Sequence, residues 1–258
     1  MSTILQQRVQ GLFQQERDRH SSPIHEADLA NLPAPIQRYL RYAQVVNKIP
    51  VQTVRLKQTG QFKMQPEQGW RRMTAEQYYI TNPPAFLWCG SIYLLPWVPI
   101  RVEDAFVDGH GSLNAKLWSV LTLVNAGGPQ FDQGELMRYL AEIAWFPTAW
   151  LSEQITWEAM DEYSARATIK VGEIAASAVL HINDRNQLTC VTAERDRLDH
   201  GTTVSTPWTG IFTQYQELNG VMVPTEAEVM WHLNSGNFTY FQGSITDIEY
   251  DAIAPYSS

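Results

Sequence analysis

The residues whose types and spacing could do chemistry are few. In "RVEDAFVDGHG" (101–111), Asp104, Asp108 and His110 share one parity, so on a strand all three project to one face. Two carboxylates and an imidazole placed this way could be a metal site or an acid/base pair, although the spacing matches no named metal motif. The alternative is a polar hairpin turn whose acids face solvent. A second set lies in "GELMRYLAEIAWFPTAWL" (134–151), where Glu135, Tyr139 and Glu142 recur at helical spacing and Arg138 precedes Glu142 by four. A carboxylate such as Glu142 held beside an apolar hollow could serve as a general acid or base, while a local Arg138–Glu142 ion pair explains the same residues structurally. The third set is aromatic. Many tryptophans fill cores, but Trp88, Trp97 and Trp145 stand beside proline-containing turns. With Tyr139 they are the expected contacts for a ligand, each offering a flat apolar body and one polar atom. Trp70, Phe86, Tyr93, Trp118, Trp157, Trp208 and Trp231 complete the aromatic group.

Other motif classes are missing. The chain has no GxSxG, Walker or GxGxxG motif, and no HExxH, HxxxH or CxxC spacing, so neither a cofactor nor a metal is implied. His181, His200 and His232 are isolated and read as structural. Cys89 and Cys190 sit in separate apolar runs and read as buried free thiols. The net charge of -8 argues against nucleic acid, which needs a Lys/Arg surplus.

The elements that must position these residues are mostly strands. Residues 3–20 form a short amphipathic helix, with Ile4, Leu5, Val9, Leu12 and Phe13 on one face, and its expected role is docking on the body. Peripheral membrane contact through this helix stays open. "LPAPIQRYLRYAQV" is a second helix, with Ile36, Leu40 and Ala43 on one side, stopped by Pro50. From Val51 the period changes to two, and successive runs break at Gly60, Gly69, Pro83-Pro84, Pro99 and Gly109–Gly111. After the central helix the alternation resumes in "SARATIKV", with turns at Asn183–Asn186 and Asn219-Gly220, and "NFTYFQGSITDIEY" supplies two last short strands.

Consecutive hairpins without alternating helices exclude a doubly wound fold. The expectation is a mainly β (α+β) single domain over 1–258, with an N-terminal helical segment (1–49) and a half-barrel (50–258). Its curled antiparallel sheet has roughly ten strands, and a covering central helix spans 134–151. Gly134 marks the helix start, Glu135 occupies its first turn and Pro147 ends or kinks it.

The segments "LPAPIQRYLRYA", "VRLKQTGQFKMQPEQGWRRMTAEQ", "GELMRYLAEIAWFPTAWL", "ITWEAMDEYSARAT" and "TPWTGIFTQYQELNGVMVPTEAEVMWHL" carry a resemblance. Together they resemble a family of bacterial proteins known as a domain of unknown function, DUF6544 (also DUF6920), from about Leu32 to Tyr250. The expected fold is similar to bacterial lipoprotein carriers, half-barrels closed by helices around an apolar cavity. An enzyme of violacein biosynthesis resembles the same fold and works on aromatic intermediates, so the comparison implies a hollow usable for binding or for catalysis.

The expected function is a binding protein for an apolar or aromatic small molecule, such as a lipid, held between the concave sheet and the helix. The alternatives are a cofactor-independent enzyme in the same cavity and an interaction module with a filled core. The N-terminus lacks a signal-peptide core and no segment has 18 uninterrupted apolar residues, so the expected compartment is the cytoplasm and no stable membrane insertion is expected.

Overall fold

The computed structural model describes residues 3–15, 22–117, 121–199 and 202–256. Helices α1 (Thr3–Gln14) and α2 (Ala34–Tyr42) lead into a meander of six strands: β1 (Thr53–Phe62), β2 (Arg71–Thr81), β3 (Pro84–Leu95), β4 (Val98–Val107), β5 (His110–Leu117) and β6 (Leu121–Gly127). Helix α3 (Pro129–Glu142) and two 3-10 turns, Ile143–Trp145 and Pro147–Leu151, interrupt the strands. A second meander follows: β7 (Ile155–Ala159), β8 (Ser164–Val171), β9 (Ile174–Ile182), β10 (Leu188–Asp199), β11 (Thr202–Leu218), β12 (Val221–Leu233) and β13 (Gly236–Tyr250). All thirteen strands join one antiparallel sheet in the order β6-β5-β4-β3-β2-β1-β13-β12-β11-β10-β9-β8-β7. The two meanders therefore meet at β1 and β13, where Val54 pairs with Tyr250 and Phe62 with Phe241.

Curvature follows from what α3 touches. It packs on β3 to β6 in one arm of the sheet and on β8 to β10 in the other. In a flat sheet β5 and β9 would stand nine strand spacings, roughly 43 Å, apart. A helix only about 10–12 Å across can reach both only if the arms fold around it. The sheet is thus a half-barrel wrapped on α3, with Leu136, Leu140, Ile143 and Ala144 fully or nearly fully buried in its hollow.

The sheet has thirteen strands rather than ten. Residues 110–127 fold back as two strands, β7 adds a short edge, and the run expected to give two last strands forms the continuous 15-residue β13. The helix starts at Pro129, not Gly134. Gly128 precedes it with φ 120, a conformation L side chains disfavour, and Pro129 supplies the preset φ of a first helical position. The first-turn acid is accordingly Asp132, whose Oδ1 accepts the backbone N–H of Gly111 at 2.7 Å.

α1 lies on the convex face, where Val9 and Leu12 pack with Tyr78, Ile80, Leu87 and Ala105, and Arg8 pairs with Glu103. That contact gives Leu5, Val9, Leu12 and Phe13 a protein partner. Among the described residues, no helix is long and apolar enough to cross a membrane. α2 buries Ile36, Tyr39 and Leu40, and Tyr39 stacks on Trp150 at 4.4 Å between ring centroids. β2 to β4 are covered on both faces, which explains the nearly unbroken apolar run of β3. Cys89 and Cys190 are free thiols, each half-buried.

Candidate functional site

Strand alternation decides which side chains reach the hollow. On β3, Trp88, Gly90 and Ile92 face inward while Leu87 and Cys89 join the convex layer. The same parity turns Asp104 inward from β4, Arg195 from β10, Trp208 and Phe212 from β11, and Val229 and Trp231 from β12. Between these side chains and α3 lies an open cavity of about 460 Å³.

Its floor has a repeated construction, an aromatic residue followed two positions later by glycine. A Cβ on Gly90 would lie 2.1 Å from Cη2 of Trp88, one on Gly210 would lie 3.1 Å from Cη2 of Trp208, and one on Gly243 would lie 2.6 Å from Cζ of Phe241. The missing side chains let three rings lie flat along their own strands. Trp88 Nε1 donates to Gln58 Oε1 at 2.8 Å and Trp208 Nε1 donates to the Tyr240 hydroxyl at 3.1 Å, so these two rings are fixed at both ends.

One corner of the cavity is charged. Arg138 Nη1 donates to Asp104 Oδ2 at 2.5 Å, and Arg138 Nε donates to Glu142 Oε1 at 2.8 Å. Arg195 Nη2 donates to Glu135 Oε1 at 2.8 Å. Glu142 Oε2 accepts from Gln77 Nε2 at 2.7 Å and from the Tyr79 hydroxyl at 3.0 Å. Burial, followed by the charge of Glu142, pushes the Tyr79 phenol well above its ordinary range, so it remains a donor. Burial opposes the charge on Arg138, but Glu142, Asp104 and Glu135 outweigh it and hold the guanidinium protonated. Asp104 behaves differently. Burial and then Glu135 raise its carboxyl against the pull of Arg138 and Arg195, with a further push from Glu142, and it is pushed up to about 7.

The structure separates the sequence-derived candidates. Asp104 and Glu142 meet through Arg138 at the cavity, but Asp108 and His110 do not join them. Both are exposed at the β4–β5 turn, where Asp108 takes φ 54 beside Gly109 at φ 80. His110 Nδ1 lies 3.7 Å from Asp132 Oδ2. The shared parity of 104, 108 and 110 breaks because the chain leaves the strand at Val107. Trp88 and Trp145 line the cavity, while Trp97 stands 74% exposed on the β3–β4 hairpin. Tyr139 points into the core instead, between Tyr79 and Phe146, with its hydroxyl donating to Ile80 O at 3.3 Å. At 3.6 residues per turn it points about 100° away from Arg138 around the helix. His181 and His232 hydrogen-bond to Thr192 and Thr209 respectively. Trp118 and His200 fall outside the described residues.

Arg195, Gln58, Gln77 and Tyr79 are partners that sequence reasoning missed. The signal available for Arg195 was its place in "AERDRL", where alternation puts Arg195 and Arg197 on one side of β10. Nothing local says that this side meets α3.

Among solved structures, the chain is similar to a DUF1329 family protein from Desulfovibrio piger, at 10% identity and TM-score 0.49, covering 86% of this chain and 94% of that one. It is also similar to a LolA superfamily protein from Nitrosomonas europaea, at 11% identity and TM-score 0.45, covering 83% and 92%. No curated protein matches. The model of a family of unknown function, DUF6920, matches residues 30–250, and the chain belongs to that family.

Proposed function

We propose that the chain binds an apolar or aromatic small molecule in the hollow between the concave sheet and α3. The observation that carries this reading is the cavity itself. At about 460 Å³ it stays open although Trp88, Trp145, Trp208, Phe212 and Trp231 surround it, and this is within the size range of small-molecule pockets. A core closing on itself would let such large side chains fill the space. The indole N–H of Trp145 supports the reading as well, because it is buried and has no acceptor.

Native mass spectrometry of the purified chain, with solvent extraction of what travels with it, is the test. A stoichiometric apolar molecule is expected, and Trp88→Ala and Trp145→Ala should each lose it selectively while retaining a cooperative unfolding transition. Loss of the fold without selective loss of the ligand sinks the assignment of those two residues.

A second reading is favoured by one feature, the Asp104 carboxyl at the cavity wall, whose hold on a proton is raised by burial and by Glu135. On it, the bound molecule is a substrate and Asp104 moves a proton to or from it. Turnover of the extracted molecule that disappears in Asp104→Asn, with binding retained, would select catalysis over simple binding.

A further inference from the structure

The polar corner of the cavity has more acceptors than donors. Three carboxylates, Asp104, Glu135 and Glu142, face two guanidinium groups, Arg138 and Arg195. Across the whole lining, acidic side chains outnumber basic ones by five to four. The surplus is visible atom by atom. Both oxygens of Glu142 are engaged, but Asp104 Oδ1 and Glu135 Oε2 are buried without a hydrogen-bond donor. The Glu135 side chain is only 7% exposed, and its Oε2 lies 3.8 Å from Arg138 Nη1, beyond hydrogen-bond distance. Buried carboxylate oxygens without donors cost about 1–3 kcal/mol or more each, so such a pair is unusual in a finished core.

We infer that this corner receives the cationic, hydrogen-bond-donating head group of an otherwise apolar ligand, an alkyl or aryl amine, with Asp104 Oδ1 and Glu135 Oε2 as its acceptors. The inference rests on the cavity being a ligand site. An ammonium donates three hydrogen bonds and carries the charge that the cluster lacks. An anionic head would have to displace carboxylates from Arg138 and Arg195, both of which are already paired, and would add a second unit of negative charge to a buried site. The apolar remainder of the ligand lies along the aromatic floor, over Trp88 and Trp208.

The groups that face Asp104 are Glu135, Arg138 and Glu142 from α3 and Arg195 from β10. In the unliganded protein a proton on Asp104 relieves the negative surplus, and an arriving ammonium displaces it. Amine binding is therefore linked to proton release and strengthens as pH rises from 5.5 to 8, a range over which an alkylamine stays charged.

The test is titration calorimetry of the full chain with dodecylamine, dodecan-1-ol and dodecanoate, each kept within its aqueous solubility and the charged pair below their micelle concentrations. The amine is expected to bind about tenfold or more tighter than the alcohol at pH 8, as one charge-assisted contact in a desolvated site implies, with the carboxylate weakest. Asp104→Asn and Glu135→Gln should each weaken the amine more than the alcohol, so that the amine preference falls toward unity. Alcohol binding also reports that each variant is folded. Equal affinities, or a preference for the carboxylate, overturn the head-group inference and leave the binding site standing. If none of the three binds, the cavity reading fails and the inference falls with it.

Discussion

Gly90→Ala tests the construction of the cavity floor. The added methyl carbon would meet Cη2, Cζ3 and Cζ2 of Trp88 at 2.1, 2.4 and 2.8 Å, whereas ordinary contact begins near 3.4 Å. The indole must retreat by about 1.3 Å, which stretches its 2.8 Å hydrogen bond to Gln58 beyond the bonding range. Gln58 is only 3% exposed, so its side-chain oxygen loses a partner out of reach of bulk water. That loss costs about 1–3 kcal/mol, and forcing the ring from its place costs about 1–3 kcal/mol more. Alanine's better fit to a strand returns roughly 0.5–1 kcal/mol. The expected net destabilisation is about 1–5 kcal/mol. In a Trp88→Ala background the obstacle is gone, so the same substitution should be neutral or slightly stabilising. Urea unfolding of the four proteins in this cycle isolates the coupling, provided the m-values agree. An equal cost in both backgrounds would show that Trp88 does not lie over Gly90 and would refute the aromatic-over-glycine floor.

Three more outcomes are expected. Asp104 has a folded pKa raised to about 7 against an unfolded value of about 3.9. Its contribution to stability is therefore fully present below about pH 4 and is lost as pH rises through about 7; the urea midpoint of Asp104→Asn should vary less across pH 5–8 than that of the parent, and an unchanged slope refutes the shift. Trp97→Ser, on a 74% exposed side chain, should change stability by no more than about 0.5 kcal/mol and leave ligand affinity intact. Asp108→Val places a β-branched residue at φ 54 and should cost about 1–2 kcal/mol without altering the cavity, which thermal unfolding beside the binding assay would check.

Local chemistry was readable in the sequence wherever a turn has a residue requirement. Asn219 and Gly220 take φ 51 and 74 in the β11–β12 turn, and the Asn183 side chain accepts the backbone N–H groups of Arg185 and Gln187 to close another. The Arg138–Glu142 pair was legible for the same reason, since four residues on a helix bring two side chains together without reference to the rest of the fold. Strand count was harder. The β5–β6 connection has no glycine or proline between Leu113 and Leu123, so two strands read as one run. Tyr139 was misplaced because it stands at the margin of the face that carries Glu135, Arg138 and Glu142, about 100° from Arg138, and helical spacing does not say where that face stops meeting the hollow. Arg195 is 57 positions from Arg138, and only the wrapping of β10 around α3 brings both to Glu135.

The join between β1 and β13 has a consequence for biosynthesis. Hairpins within each meander form between neighbours in sequence, but residues 53–62 must find residues 241–250 to complete the sheet. Closing a loop of nearly the whole chain rather than a ten-residue one costs roughly 2–3 kcal/mol more in chain entropy. β13 is also translated after every other strand. Until it arrives, β1 offers an unpaired edge in the middle of the future sheet, and neighbouring nascent chains can pair there. The interval between synthesis of β1 and synthesis of β13 is when this protein is most exposed to aggregation, and a chaperone that shields strand edges would matter most then.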